Sequence, residues 1–111
     1  MNLNQYQELA RRTQNPHLSL ADRRMHALHG MCSEVGEVHG LYQKTYQGHC
    51  LDVNKVIDEL GDLLWFIAEM ADVLGEPLND IASRNIAKLA KRYPEGFAEE
   101  LSINREEYKH E

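Results

Sequence analysis

Two short acidic motifs, Glu34-Val35-Gly36-Glu37 and Glu59-Leu60-Gly61-Asp62, stand on either side of Gly48. Each puts two carboxylates at i and i+3, which on a helix is one face. Glu37 and Glu59 are equidistant from Gly48, and so are Glu34 and Asp62. Two helices that reverse at this glycine bring Glu37 level with Glu59 and Glu34 level with Asp62. The inner acids then lie about 16 Å from the turn, at ~1.5 Å rise per residue. Four carboxylates at one height repel unless some take up protons or a cation sits among them. An all-oxygen set with no soft ligand suits Mg²⁺, with Mn²⁺ second, better than zinc. Such a cation is a template for a polyphosphate, and a carboxylate not fully used by it can act as a general base.

A second constellation complements the first. Asn85, Lys88 and Arg92 recur at i, i+3 and i+7 along one edge of a helical segment. Lysine and arginine stabilise charge on phosphoryl oxygens, so acids for metal and bases for phosphate together make a phosphohydrolase inventory. Each part alone also has a bland reading. A single ExxE is common on solvated helix faces, Asn85 can satisfy a neighbouring backbone group, and cations near a helix C-terminus favour its dipole. The symmetric placement of two acidic pairs about one turn outweighs the bland reading of the acids. His26 and His29 stand at i, i+3, but nothing completes an HExxH-type zinc motif, and a structural or supporting role fits them better.

The elements that must carry these residues are helices. The spacing predicts helices over Leu3–Thr13, Leu20–Tyr46, Val53–Leu74 and Leu78–Arg92. Asn4 with Gln7 is a capping-box candidate for the first, and Asn15-Pro16 ends it. Ser19 caps the second with Asp22 in its first turn, and Asp52 caps the third, which stops at Gly75. Pro77 suits the first position of the fourth, and Tyr93-Pro94 closes it. Apolar residues recur at Leu28, Met31, Val35, Val38 and Tyr42, with Glu34 and Glu37 beside that stripe. The third helix is apolar on two sides: Val56, Leu60, Leu63, Ile67, Met70 and Leu74 on one, Gly61, Trp65 and Ala68 on the other. A helix apolar on more than one face is buried on more than one face. Trp65 and Ala68 are therefore expected to meet a partner subunit, the alternative being a contact with the first helix or the tail. The fold class is all-α: a hairpin-based bundle of about four helices, completed by oligomerisation. Residues 1–97 form the helical domain, and residues 98–111 a charged tail with Leu101, Ile103 and Tyr108 as anchors.

Composition sets the outer limits. At 111 residues the chain has the size of one domain with a modest core. Its formal charge of −6 argues against binding a nucleic-acid polymer, which needs a basic stripe. The longest apolar run, Leu63–Ala68, is far short of a membrane span. Met1–Gln14 has no apolar signal-peptide core, and Cys32 and Cys50 form no CxxC pair, so a cytoplasmic setting with free thiols is expected. His17, His39, His49 and His110 read as surface residues.

Glu34-x-x-Glu37, a spacer of 21 residues and Glu59-x-x-Asp62 together resemble the signature of the all-α nucleoside triphosphate pyrophosphohydrolases. This superfamily includes MazG, the dimeric dUTPases and the dCTP pyrophosphatases. Glu59-Leu60-Gly61-Asp62-Leu63-Leu64-Trp65 and the run from Asn85 to Phe97 are most similar to the small MazG-like proteins of bacteria and phages. The similarity covers roughly residues 5–97. It implies a Mg²⁺-dependent enzyme that cleaves the α–β phosphoanhydride of (d)NTPs to the monophosphate and pyrophosphate. It also implies a homodimer or homotetramer. By the resemblance, Glu34, Glu37, Glu59 and Asp62 are metal ligands, and one of the three glutamates handles the attacking water. Lys88 and Arg92 contact phosphates, Asn85 the phosphate or sugar, and Lys44 is a further substrate-binding candidate. The tryptophan that stacks on the base in dCTP-type enzymes is replaced around Lys44 by Tyr42, Gln43 and Tyr46, so base recognition does not carry over. The alternative reading is a non-catalytic helical dimer that binds metal–nucleotide as a regulatory module.

Overall fold

The four long helices form where the periodicity puts them. The structure, a computed structural model, describes residues 1–105; Tyr108 and His110 lie outside the described residues. In chain order they are α1 (Leu3–Arg11), α2 (Leu20–Thr45), α3 (Val53–Leu74), α4 (Leu78–Arg92) and a short α5 (Glu99–Ile103). α5 falls inside the segment expected as a tail. No strand occurs among the described residues. The chain divides into two compact units, the first spanning Met1–Leu78 and the second beginning at Asn79.

Local chemistry sets the ends of the helices. Ser19 accepts from the Asp22 amide and Asp52 from the Lys55 amide, so both hairpin helices are capped as expected. α2 and α3 stop on left-handed glycines, Gly48 (φ 91°) and Gly75 (φ 70°). At each, the following amide reaches back to the last turn: His49 donates to Lys44 O at 3.1 Å, and Glu76 to Ala71 O at 2.9 Å. This is the glycine stop that reverses the chain at Gly48. The N-terminal cap differs from expectation. Asn2 and Gln5, not Asn4 and Gln7, form the reciprocal capping box. Gln7 is instead buried and has partners elsewhere. Its amide nitrogen donates to Asp72 Oδ1 (2.9 Å) and Glu76 O (3.0 Å), and its carbonyl accepts from the Leu78 amide (2.7 Å). That last bond satisfies a donor at the start of α4.

α2 and α3 pack as an antiparallel hairpin, and α1 lies against α3. The core is small and built on small residues: Ala10, Ala68, Ala71 and Leu78, joined by Leu3, Tyr6, Leu64, Trp65 and Ile67. This corrects the expectation for Trp65 and Ala68. α1 covers that side of α3 within the same chain. Ala68 is fully buried, and Trp65 Nε1 donates to Thr13 Oγ1 at 2.8 Å. The apolar surface left open lies elsewhere, on Met25, Leu28, Val35 and Tyr42 of α2 and on Val53, Ile57, Leu60 and Leu74 of α3.

Candidate metal centre

The hairpin register is fixed by three rungs. His26 meets Glu69. Gly30 faces Phe66 so closely that a Cβ would overlap the ring. Glu34 meets Glu59 and Asp62. The His26–Glu69, Gly30–Phe66 and Glu34–Asp62 pairs are equidistant from Gly48 to within one residue, as the acidic motifs imply. Glu59, expected level with Glu37, meets Glu34 instead, and Glu37 stays outside the cluster. At about 100° per residue, Ala27, Gly30, Glu34 and Leu41 of α2 point toward α3. His26, Glu37 and Lys44 fall on one side of that sector, Leu28, Val35 and Tyr42 on the other. On α3 the same division puts Asp62, Trp65 and Glu69 on the first flank and Val53, Leu60 and Leu74 on the second. In an antiparallel pair these flanks coincide, and the His26–Glu69 contact places both residues on the first.

Carboxylate oxygens of Glu34, Glu59 and Asp62 lie within 4.8 Å of one another. Glu34 and Glu59 are half-buried and Asp62 is exposed. The Glu34 carboxyl is pushed up to about 7. Hydrogen bonding to Glu59 is the largest cause, followed by burial and by the charges of Glu59, Asp62 and Glu37. Its Oε2 is buried without a hydrogen-bond partner. Three convergent oxygens and an orphaned buried acceptor fit a hard divalent cation. Glu37, one turn beyond Glu34, is exposed, and its charge still bears on Glu34. The Tyr6 phenol on α1 is raised by burial and, second, by the charge of Asp62, so α1 borders this site.

Residues 24–97 match the family model of the MazG nucleotide pyrophosphohydrolase domain. The chain belongs to this family. Comparisons with curated proteins and with solved structures gave no match. The family is one of nucleotide pyrophosphohydrolases, which makes hydrolysis of a nucleotide its general activity; its members generally use a divalent metal, and the acidic cluster is a group that could hold one. No helix among the described residues is long and apolar enough to cross a membrane.

All the residues expected at the site fall within the MazG match, but the structure brings together only some of them. Lys44 is exposed in the last turn of α2, on the flank of Glu37. Asn85 and Lys88 are exposed and Arg92 is half-buried; they follow one edge of α4, whose residues from Asn79 onward belong to the second unit. A cavity of about 780 Å³ opens beside α1, lined by Gln7, Arg11, Gln14, Arg23, Asp72 and Pro77 among others, and none of the clustered acids lines it.

The pair that sequence reasoning passed over is His26 and Glu69. Glu69 is fully buried in the C-terminal third of α3, and its Oε1 lies 2.6 Å from His26 Nδ1. The signal was available: 26 and 69 mirror each other about the same turn as the acids. What hid it was that a lone glutamate within an apolar stretch reads as a solvated position.

Proposed function

We propose that the chain is a Mg²⁺-dependent nucleoside triphosphate pyrophosphohydrolase that cleaves the α–β phosphoanhydride of (d)NTPs, releasing (d)NMP and pyrophosphate. The observation that carries this reading is the convergence of Glu34, Glu59 and Asp62 around an unpartnered buried oxygen, within a MazG domain. Glu34, Glu59 and Asp62 would hold the metal, with Glu37 beside them; Mn²⁺ would substitute. When bound, the metal polarises a phosphoryl oxygen and offsets charge on the polyphosphate. Among the chain's own groups, one of Glu34, Glu37 and Glu59 orients the attacking water and takes its proton. Lys88 and Arg92 bind phosphate oxygens, Asn85 the phosphate or sugar, and Lys44 adds a cation; their residue types and the family match support these roles. The setting is cytoplasmic.

The active form in this reading is a homodimer, or a tetramer built from dimers. Met25, Leu28, Val35 and Tyr42 follow a heptad spacing on α2, and all are exposed. Val53, Leu60 and Leu74 stand exposed on the same flank of α3. An apolar flank two helices wide is what a second hairpin covers in a four-helix bundle.

The test is a panel of NTPs and dNTPs, with and without Mg²⁺, with products separated by chromatography. Monophosphate and pyrophosphate appearing only with metal is the expected outcome. Release of single phosphate overturns the α–β assignment. Metal-dependent nucleotide binding without turnover makes the chain a binding module instead.

A further inference from the structure

We propose that His26, held by Glu69, contacts the nucleoside part of the substrate and sets which nucleoside is accepted. This rests on the nucleotide-hydrolase reading above and adds to it the recognition element that the acidic cluster lacks.

Four observations converge on His26. Its Nδ1 is taken by Glu69 Oε1 at 2.6 Å, so Nε2 is the remaining polar atom of the ring. The ring is walled on two sides. Phe66 meets it edge-on at 5.5 Å between centroids and Trp65 at 6.3 Å, while Trp65 is itself pinned to Thr13. Orientation and position are therefore set before any ligand arrives, which is what a hydrogen-bonding group needs in order to discriminate. The His26 side chain nonetheless remains 47% exposed, within reach of a ligand.

The third observation is the cost of the arrangement. Glu69 is completely buried, and its Oε2 has no hydrogen-bond partner. Burying a carboxylate costs several kcal/mol unless every lone pair is satisfied, and an apolar residue of similar volume would avoid that cost. A stapling role does not call for an acid here, because the adjacent rung already packs the helices through Phe66 in the space left by Gly30. An imidazole oriented by a buried carboxylate is a pre-set polar contact, and function explains the expense where stability does not.

The fourth is position. His26 lies on the flank that carries Asp62 and Glu37, not on the apolar flank. Glu69 is two turns beyond Asp62 along α3, about 10 Å at ~1.5 Å per residue. A triphosphate anchored at the carboxylates and laid along the hairpin brings its nucleoside to that distance, where Nε2 meets a sugar hydroxyl or a base edge and the aromatic rings offer an apolar wall. A site built to hydrogen-bond one group rejects analogues that leave the bond unmade, which is how one fixed imidazole generates preference.

The experiment uses the full chain and compares wild type with His26→Ala and Glu69→Gln. Three measurements are taken: kcat and KM across the NTP and dNTP panel, inhibition by inorganic tripolyphosphate, and Mn²⁺ affinity by titration. Expected for His26→Ala is a rise of about tenfold in KM for the preferred nucleotide, with a flattened preference across the panel. The tripolyphosphate inhibition constant and the Mn²⁺ affinity stay at their wild-type values, because neither probe has a nucleoside. Glu69→Gln moves KM the same way by a smaller factor. An unchanged preference overturns the proposal and leaves the pair as a helix staple. Equal weakening of nucleotide and tripolyphosphate also overturns it, since the effect then lies at the phosphates. A wild-type protein that binds Mn²⁺ but neither binds nor turns over any nucleotide defeats the underlying functional reading, and the proposal with it.

Discussion

The two flanks of the α2–α3 hairpin are made from the same helices by the same periodicity, yet they differ in kind. One carries Glu37, Asp62, His26 and Glu69 beside the Glu34–Glu59 contact, with buried acceptors left unpaired on Glu34 and Glu69. The other carries Leu28, Val35, Tyr42, Leu60 and Leu74, all exposed. Unpaired acids lower stability, and exposed leucines do nothing for an isolated chain. Under the proposed function each flank has an occupant to receive: a cation with its polyphosphate on the first, a second copy of the hairpin on the second. The contrast shows that an incomplete flank is informative in two ways. Orphaned polar atoms describe a small charged ligand, and orphaned apolar area describes a macromolecule.

The largest expected effect comes from removing an acid at the centre of the polar flank. Glu59→Gln takes away both a proposed metal ligand and the carboxylate hydrogen-bonded to Glu34. Loss of even an outer partner of a metal site commonly costs 10–100-fold in metal affinity, so a ligand costs at least about that, and turnover falls with it. In metal-free buffer the same change relieves repulsion among clustered carboxylates, and the melting temperature stays level or rises. Titration with Mn²⁺ and a thermal melt in chelator check the two halves. Unchanged metal affinity and turnover would break the assignment of this flank.

Next in size is a charge on the apolar flank. Leu60→Glu introduces a carboxylate on the flank that carries Val53 and Leu74, at a position already 51% exposed within one chain. The chain's own fold should tolerate it, whereas a bundle of two hairpins should not, because a buried unpaired charge is expensive. Sedimentation at micromolar concentration should show the wild type as a dimer or larger and the variant as a monomer. A wild type that sediments as a monomer would remove the apolar flank's occupant and with it half of the comparison.

How much of this could be read beforehand follows from which forces act locally. Helix ends set by one cap residue, such as Ser19, Asp52 and Gly75, are legible because cap chemistry is local. The acidic rung was legible because a hairpin maps sequence distance from Gly48 onto height. Which face of α3 stays open was not legible. Trp65 and Ala68 looked like an interface because a chain of 111 residues seemed to have too few helices to cover both apolar sides of α3. Ala10 and Thr13 cover them all the same, because small residues let α1 approach closely and Thr13 accepts the indole N–H. Gln7 was misassigned for a related reason. A capping box is a local pattern, while its true partners, Asp72, Glu76 and Leu78, are distant in sequence.

Asp72 supplies the smallest effect and the internal control. Like Glu34 and Glu69 it is an acid on α3 or its partner helix shielded from water, but its needs are met. Arg11 Nη2 donates to Oδ1 at 2.7 Å, Gln7 to the same oxygen at 2.9 Å, and Gln14 to Oδ2 at 2.8 Å. Burial by itself would raise this carboxyl, but the bonds from Arg11, Gln14 and Gln7 together with the Arg11 charge outweigh it, and the pKa ends below its ordinary 3.8. A lowered native pKa contributes stability that is present above 3.8 and lost as pH falls through the native value. Asp72→Asn should therefore cost about 1–3 kcal/mol near neutral pH, since an amide nitrogen now faces donors that had a carboxylate. The gap between wild type and variant should narrow as the pH drops below 3.8, where the wild-type carboxyl also takes up a proton. Urea denaturation from neutral pH down to that range reads both. Oligomer mass and Mn²⁺ affinity should not move, because Asp72 serves neither occupant. If the gap stays constant with pH, satisfied and orphaned acids do not differ in the way the polar flank requires, and an unpaired Glu34 or Glu69 oxygen would no longer point to a ligand.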